Sequence, residues 1–241
     1  MAKPLEELQR VRIEKLEKLE ELGIDPYPAS WEGFDERIEN CELGEENIGE
    51  EVTVVGRIRA TRGHGGIVFA DIYDETGKIQ LCFREDVLVS SAGEEKTAAG
   101  ETSGVSADPT PEVGECGGLG FQHLNLLDLG DFIGVRGELF ETESGELTVL
   151  ARELKLLSKS VRPLPSEWYG LKDKEERYRK RYLDLIMNPE VREVFKTRTK
   201  ILTMLRDYLD EHGFMEVETP ILQPLYGGAS ARPFVTHLEA L

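Results

Sequence analysis

The chain has 241 residues, with 47 Asp and Glu against 29 Lys and Arg, for a formal net charge of −18. That length suits one large domain or two modest ones, and the acidity argues against a protein that coats nucleic acid unselectively, which would be basic. No apolar run approaches the ~18 residues of a membrane span. Cys41, Cys82 and Cys116 are widely spaced and odd in number, the pattern of reduced thiols in a cytoplasmic protein, not of a zinc site or disulfide framework.

Residues 3–22 predict a helix: Leu5, Leu8, Val11, Leu16, Leu19 and Leu22 recur at about helical spacing. Gly23 stands at the C-cap, and Pro26 and Pro28 end the segment. The face so formed suits packing on a domain or a partner. Alternating β-branched runs at 51–59, 67–73 and 78–83 predict strands, with a hairpin at Asp74 to Gly77. Further strands are expected at 131–141 and 146–157, joined through Ser144-Gly145. Five short strands suggest a small closed barrel. Residues 90–118 are rich in Ser, Gly, Ala, Glu, Thr and Pro with an excess of acids. Such a segment cannot bury enough apolar surface to offset its ordering entropy, and a disordered surface insertion is expected there.

Pro163 and Pro165 mark residues 158–172 as a linker, after which the charge balance turns basic. Arg177, Arg179, Lys180 and Arg181, set among Tyr178 and Tyr182, read either as a basic patch or as a solvated helix face paired with Glu175 and Glu176. A second helix is predicted over 189–212, with Asn188 as N-cap and Pro189 at the first helical position. Val191, Val194, Phe195, Ile201, Leu202, Leu205 and Leu209 form its apolar face. His212 and Gly213 close it, and a short strand from Phe214 to Glu218 is expected to run into Thr219-Pro220.

A long helix followed by a strand that ends in Pro220 resembles motif 1 of the class II aminoacyl-tRNA synthetases. The segment from Arg177 to Ile186 is similar to the lysyl subfamily just before that motif, and Gly227 to His237 to the sequence just after it. Arg232-Pro233-Phe234 stands where the aspartyl and asparaginyl enzymes usually carry a different segment. Gly23 to Pro28 and Gly145 to Leu147 add to the likeness, which covers nearly the whole chain except the acidic insertion.

The resemblance implies an α+β chain. Residues 1–30 would be an N-terminal helix and lead-in, and 31–160 a five-stranded OB-fold barrel that binds the anticodon. Residues 161–241 would hold a linker and the start of the antiparallel α/β catalytic domain, with motif 1 at about 189–220. Expected partners are the anticodon loop of a lysine tRNA and a second copy of the chain, which motif 1 with Pro220 would contact. In the family, the residues matching Phe69 and Gln80 stack on and read an anticodon base, Arg62 aligns with a contacting arginine, and Glu146 matches a glutamate near the outer anticodon bases. An amide that both donates and accepts suits the edge of a uridine. From the residues alone, Phe69 could equally be an inward core residue. Arg57 and Arg59 are either phosphate partners or a solvated strand face. Gly228 is either a lysine-pocket glycine or a turn glycine, and His64 reads as a loop residue.

The family reaction is ATP-dependent activation of lysine and its transfer to tRNA, with magnesium. Motifs 2 and 3, which carry the ATP-binding arginines and the metal-binding acids, do not occur in these residues. No cofactor is therefore expected in this chain, and no catalysis by it alone. Two expectations stand: a portion of a lysine–tRNA ligase, or a stand-alone, non-catalytic OB-fold module that binds tRNA or protein.

Overall fold

The computed structural model describes residues 5–88, 118–165, 171–221 and 235–236. The alternating runs form five strands, β1 (Glu51–His64), β2 (Ile67–Tyr73), β3 (Lys78–Arg84), β4 (Phe132–Glu141) and β5 (Leu147–Ser158). They close into a barrel in the order β1-β2-β3-β5-β4, with every pair antiparallel except β3 and β5. This is the predicted fold. Ile58, Ile72, Leu81, Ile133, Val135 and Leu154 point inward and are almost wholly buried, each contributing about 1.5–3 kcal/mol of burial.

Three register shifts mark the barrel, one at the very end of β5 and two that shape its face. In β1, Ile58 pairs with Ile72 and Ala60 with Asp71, so Arg59 is an extra, unopposed residue. In β5, Arg152 is extra between Ala151, opposite Gly137, and Glu153, opposite Arg136. Each bulge bends its strand and switches which residues face inward. At the second bulge, a Cβ on Gly137 would lie 2.0 Å from the Leu150 carbonyl oxygen, so only glycine fits.

Helix α1 (Leu5–Glu21) forms as predicted, but only part of its leucine stripe docks, with Leu19 in the hydrophobic core, and polar contacts add to it. Leu5, Leu8 and Leu22 are exposed, whereas Arg12 and Leu19 are buried. Arg12 donates to the carbonyls of Leu129, Ser160 and Arg162 at 2.9, 2.8 and 3.2 Å. Lys15 reaches Asp128 at 2.7 Å. Beneath them, the ammonium of Lys159 meets Asp128 at 2.6 Å, Asp131 at 2.8 Å and the Leu126 carbonyl at 2.8 Å. A buried polar group is tolerable only when its hydrogen bonds are made, and here helix and barrel complete one another's. Burial pushes the Asp128 carboxyl up, but the bonds from Lys15 and Lys159 outweigh it and hold the group below the ordinary carboxylate range.

The chain divides into two compact units, Met1–Leu164 and Pro165–Leu241. The second contains α2 (Lys174–Arg179), α3 (Arg181–Met187) and α4 (Pro189–Glu211). The basic run falls on α2 and α3, where Arg179 pairs with Glu175 and Lys180 with Glu176, both at 2.7 Å, as the solvated-face reading expects, while Arg177 and Arg181 turn to Asp184. Tyr178 and Tyr182 are exposed. The buried carboxylate of Asp184 gathers Arg177 and Asn188 Nδ2, each at 2.7 Å, and Arg181.

Two expectations for this unit are corrected. Asn188 precedes α4 but makes no side-chain cap, because its amide is turned back onto Asp184. Residues Phe214 to Glu218 have no regular secondary structure and are not a strand. Among the described residues no neighbouring strand pairs with them, and without a ladder partner β-forming residues do not make a strand. The helix stop is as expected, with Gly213 at φ +79°.

Candidate nucleic-acid interface

The register of the barrel decides which side chains share its outer face. Ile67, Phe69, Asp71 and Tyr73 alternate outward on β2, since Ala70 and Ile72 are in the core. Across the ladder Phe69 opposes Cys82, Asp71 opposes Gln80, and Tyr73 opposes Lys78. On the other side Arg62 opposes Phe69, and beyond β3 Gln80 neighbours Thr148. One row therefore runs Arg62, Phe69, Cys82, and the next runs Ala60, Asp71, Gln80, Thr148. The predicted residues Arg62, Phe69 and Gln80 are brought together on adjacent rows. Phe69 is half-buried on the outer face and not in the core.

Glu146, in the turn before β5, closes the group. Its backbone is pinned by Thr142, whose hydroxyl accepts from the Glu146 N–H and lies 3.1 Å from its carbonyl. Gly145 takes φ +79° to make the turn. The Glu146 side chain reaches across to β3, where Oε1 accepts from Lys78 Nζ at 2.5 Å and Oε2 from Gln80 Nε2 at 2.6 Å. Arg62 lies 3.7 Å from Oε2 and 3.3 Å from Asp71, with its guanidinium 5.9 Å from the centre of the Phe69 ring. The Lys78 ammonium holds the Glu146 carboxyl below its ordinary value, and Glu146 raises Lys78 in return.

This geometry fixes the Gln80 amide. A carboxylate only accepts, so the group facing Glu146 is NH₂, and the carbonyl then takes the Thr148 hydroxyl at 3.0 Å. Gln80, almost wholly buried beneath Glu146, therefore turns its donors toward that carboxylate and does not present the donor–acceptor pair expected from its residue type. Lys78, Asp71 and Thr148 were not singled out in the sequence, and Cys82 was noted there only as a thiol. Period-two alternation from Phe69 and Gln80 would have found all of them except Thr148, which depends on the parallel β3–β5 pairing. Burial pushes the Cys82 thiol up, which makes it a poor nucleophile.

Arg57 donates to the Gly130 carbonyl at 2.9 Å and lies 4.1 Å over the Phe132 ring. Burial, together with neighbouring Arg59, lowers its guanidinium from the ordinary value. Arg59, the bulge residue, has its guanidinium 5.6 Å from the Tyr73 ring. Neither joins the Arg62 group. Pro220 is exposed. Gly228 and most of the 90–118 insertion lie outside the described residues, as does the side chain of His64, whose backbone, expected in a loop, instead ends β1 opposite Ile67 because the hairpin ladder extends to that point. Among the described residues no three His, Cys, Asp or Glu are grouped to hold a metal ion, and no step through ATP or magnesium follows from them. No described helix is long and apolar enough to cross a membrane.

Comparison with known proteins matches this architecture. Residues 52–101 fit the profile of the OB-fold nucleic acid binding domain, and residues 173–241 that of the class II tRNA synthetases for D, K and N. The lysine–tRNA ligase of Syntrophomonas wolfei is 44% identical over 238 residues, covering 98% of this chain and 42% of the relative. The enzymes of Carboxydothermus hydrogenoformans and Moorella thermoacetica are 43% and 44% identical, with 98% of this chain covered in each case. The chain is a homologue of the lysine–tRNA ligases. It spans about two-fifths of the length of the curated relatives it matches. Strands β1 to β3 of the barrel fall within the nucleic-acid-binding profile, and the helices α2 to α4 within the synthetase profile.

Proposed function

We propose that the outer face of the barrel reads the anticodon loop of a lysine tRNA, as the binding portion of a lysine–tRNA ligase. The whole enzyme would activate lysine with ATP and transfer it to that tRNA in the cytoplasm. One observation carries the reading: an aromatic ring, a fixed amide and an arginine stand on adjacent rows of one barrel face. That is the equipment for stacking an unpaired base and hydrogen-bonding its edge. In this reading Phe69 stacks, Gln80 and Arg62 address base edges, and Glu146 borders the outer bases. The guanidinium groups of Arg59 and Arg57 are the candidates for phosphates alongside.

Helix α4 supports the further proposal of self-association through motif 1 up to Pro220. Val194, Ile201, Leu202 and Leu205 are all exposed in the single chain, an apolar stripe suited to a second copy. We further propose the division into a lead-in at 1–30, a barrel domain at 31–160 and a linker with synthetase segment at 161–241, and assign Gly228 to the lysine pocket.

The test is binding of the purified chain to a lysine-tRNA anticodon stem-loop at fixed salt, against a stem-loop with its central uridine replaced. Preference for the uridine loop is expected. A folded protein that binds both equally overturns the reading.

A further inference from the structure

Three donors on the outer face, Lys78 Nζ, Gln80 Nε2 and Arg62 Nη2, converge on the single carboxylate of Glu146 at 2.5, 2.6 and 3.7 Å. Donors so grouped make a site for an acceptor, and in the free protein an acceptor from the same chain already fills it. We propose that Glu146 is an internal stand-in for the ligand: its carboxylate occupies the position that a pyrimidine carbonyl oxygen takes, and it must swing out for the base to enter. This rests on the reading that this face binds the anticodon loop.

The arrangement lets the stand-in leave without disturbing the barrel. Thr142 holds only the backbone of Glu146, and the side chain, about one-third exposed, can turn into solvent. The donors stay in place when it does. Thr148 keeps the Gln80 amide oriented through its carbonyl end, at 3.0 Å. Asp71 keeps Arg62, at 3.3 Å, and is itself far less exposed than Glu146. Its second oxygen, Oδ1, is buried without a hydrogen-bond partner among the described residues, so Asp71 has unused acceptor capacity for Arg62 once Glu146 turns away. Asp71 is thus the permanent partner of the arginine and Glu146 the exchangeable one.

Affinity for any ligand that needs the open state is reduced by the fraction of molecules in which the site is open. Only a base that offers an acceptor to all three donors displaces the carboxylate. Uracil carries two carbonyl oxygens, whereas adenine has none and turns an amino donor toward the site. A base without a carbonyl binds, if at all, with Glu146 still in place.

The experiment compares wild type with Glu146→Ala on two stem-loops, one with uridine and one with adenosine at the centre of the anticodon. Loss of the stand-in is expected to tighten the uridine loop about twofold to fivefold, the range of a partly exposed ion-pair cluster, and to leave the adenosine loop unchanged. Equal tightening of both loops would mean that Glu146 acts only by its charge, and Glu143→Gln on the same turn calibrates that effect. Weaker binding of the uridine loop would make Glu146 a direct contact, and unchanged binding would make it a bystander. Each of these three results overturns the proposal. Failure of the underlying reading looks different: wild type itself shows no preference for the uridine loop. Glu146→Gln, which keeps the side-chain volume, repeats the comparison should the alanine variant lose its fold by circular dichroism.

Discussion

Lys159 Nζ and Asp131 Oδ2 lie 2.8 Å apart, with both side chains wholly removed from solvent. Deleting one member of such a pair strands the other charge in a poorly polarisable interior. Lys159→Met is expected to destabilise the barrel by about 3–5 kcal/mol. The double variant Lys159→Met, Asp131→Leu is expected to recover much of that loss, because no charge is left unpaired. Urea unfolding midpoints of the single and double variants check both statements.

Phe69 stands on the outer face, so its removal leaves the core untouched. Phe69→Ala is expected to weaken anticodon stem-loop binding by about 1–3 kcal/mol, the worth of one stacked base, with little change in melting temperature. Fluorescence anisotropy of a labelled stem-loop at fixed salt measures the first, and thermal circular dichroism the second.

Asp74 ties the β2–β3 hairpin to the segment before the barrel. Its carboxylate accepts from the backbone N–H groups of Thr76 and Gly77, both at 2.7 Å, and of Asn40 at 2.8 Å. Burial pushes this carboxyl up, but these bonds and the Thr76 hydroxyl outweigh it and hold it below its ordinary value. A group whose folded pKa lies below its unfolded one, about 3.9 for Asp, stabilises fully above the unfolded value. That contribution fades as pH falls through the folded value. Asp74→Asn is therefore expected to be less stable than wild type at neutral pH and to lose less further stability between about pH 5 and pH 3. Urea midpoints across that range give the two slopes.

In the second unit, Asp184 joins α2, α3 and the start of α4 through Arg177, Arg181 and Asn188. Asp184→Ala removes the shared acceptor. A loss of about 1–3 kcal/mol is expected, seen as reduced helical signal and a lower melting temperature, with stem-loop binding by the barrel unchanged.

Much of the barrel was legible because its strands carry the period-two pattern that a half-buried sheet imposes. Phe69 and Gln80 lie on uninterrupted stretches of that pattern. Arg62 does not. Alternation continued from inward Ile58 would turn Arg62 inward as well, and only the extra residue Arg59 puts it on the outer face opposite Phe69. A bulge leaves little trace in a single sequence, so the resemblance, not the periodicity, pointed to Arg62. The docking of α1 was only half legible, for another reason. Its leucines suggested an apolar contact, and Leu19 makes one, but Arg12 and Lys15 add attachments to partners more than a hundred residues away. Residues 214–218 have the composition of a strand, and pairing, which composition does not contain, decides against it.

The attachment of α1 also bears on the order of events during synthesis. Arg12 hydrogen-bonds the carbonyl of Ser160, 148 positions later in the chain. Once made, α1 must therefore wait, with Arg12 lacking these partners, until the last barrel strand and the residues just after it have been made. Contacts of such long sequence separation form late and carry a large loop-closure entropy. A nascent barrel stalled before Lys159 would lack both that lysine and the seat for α1, leaving Asp131 buried without its counter-charge. Completion of this unit is thus a single late event in translation, set by a few residues at the end of β5.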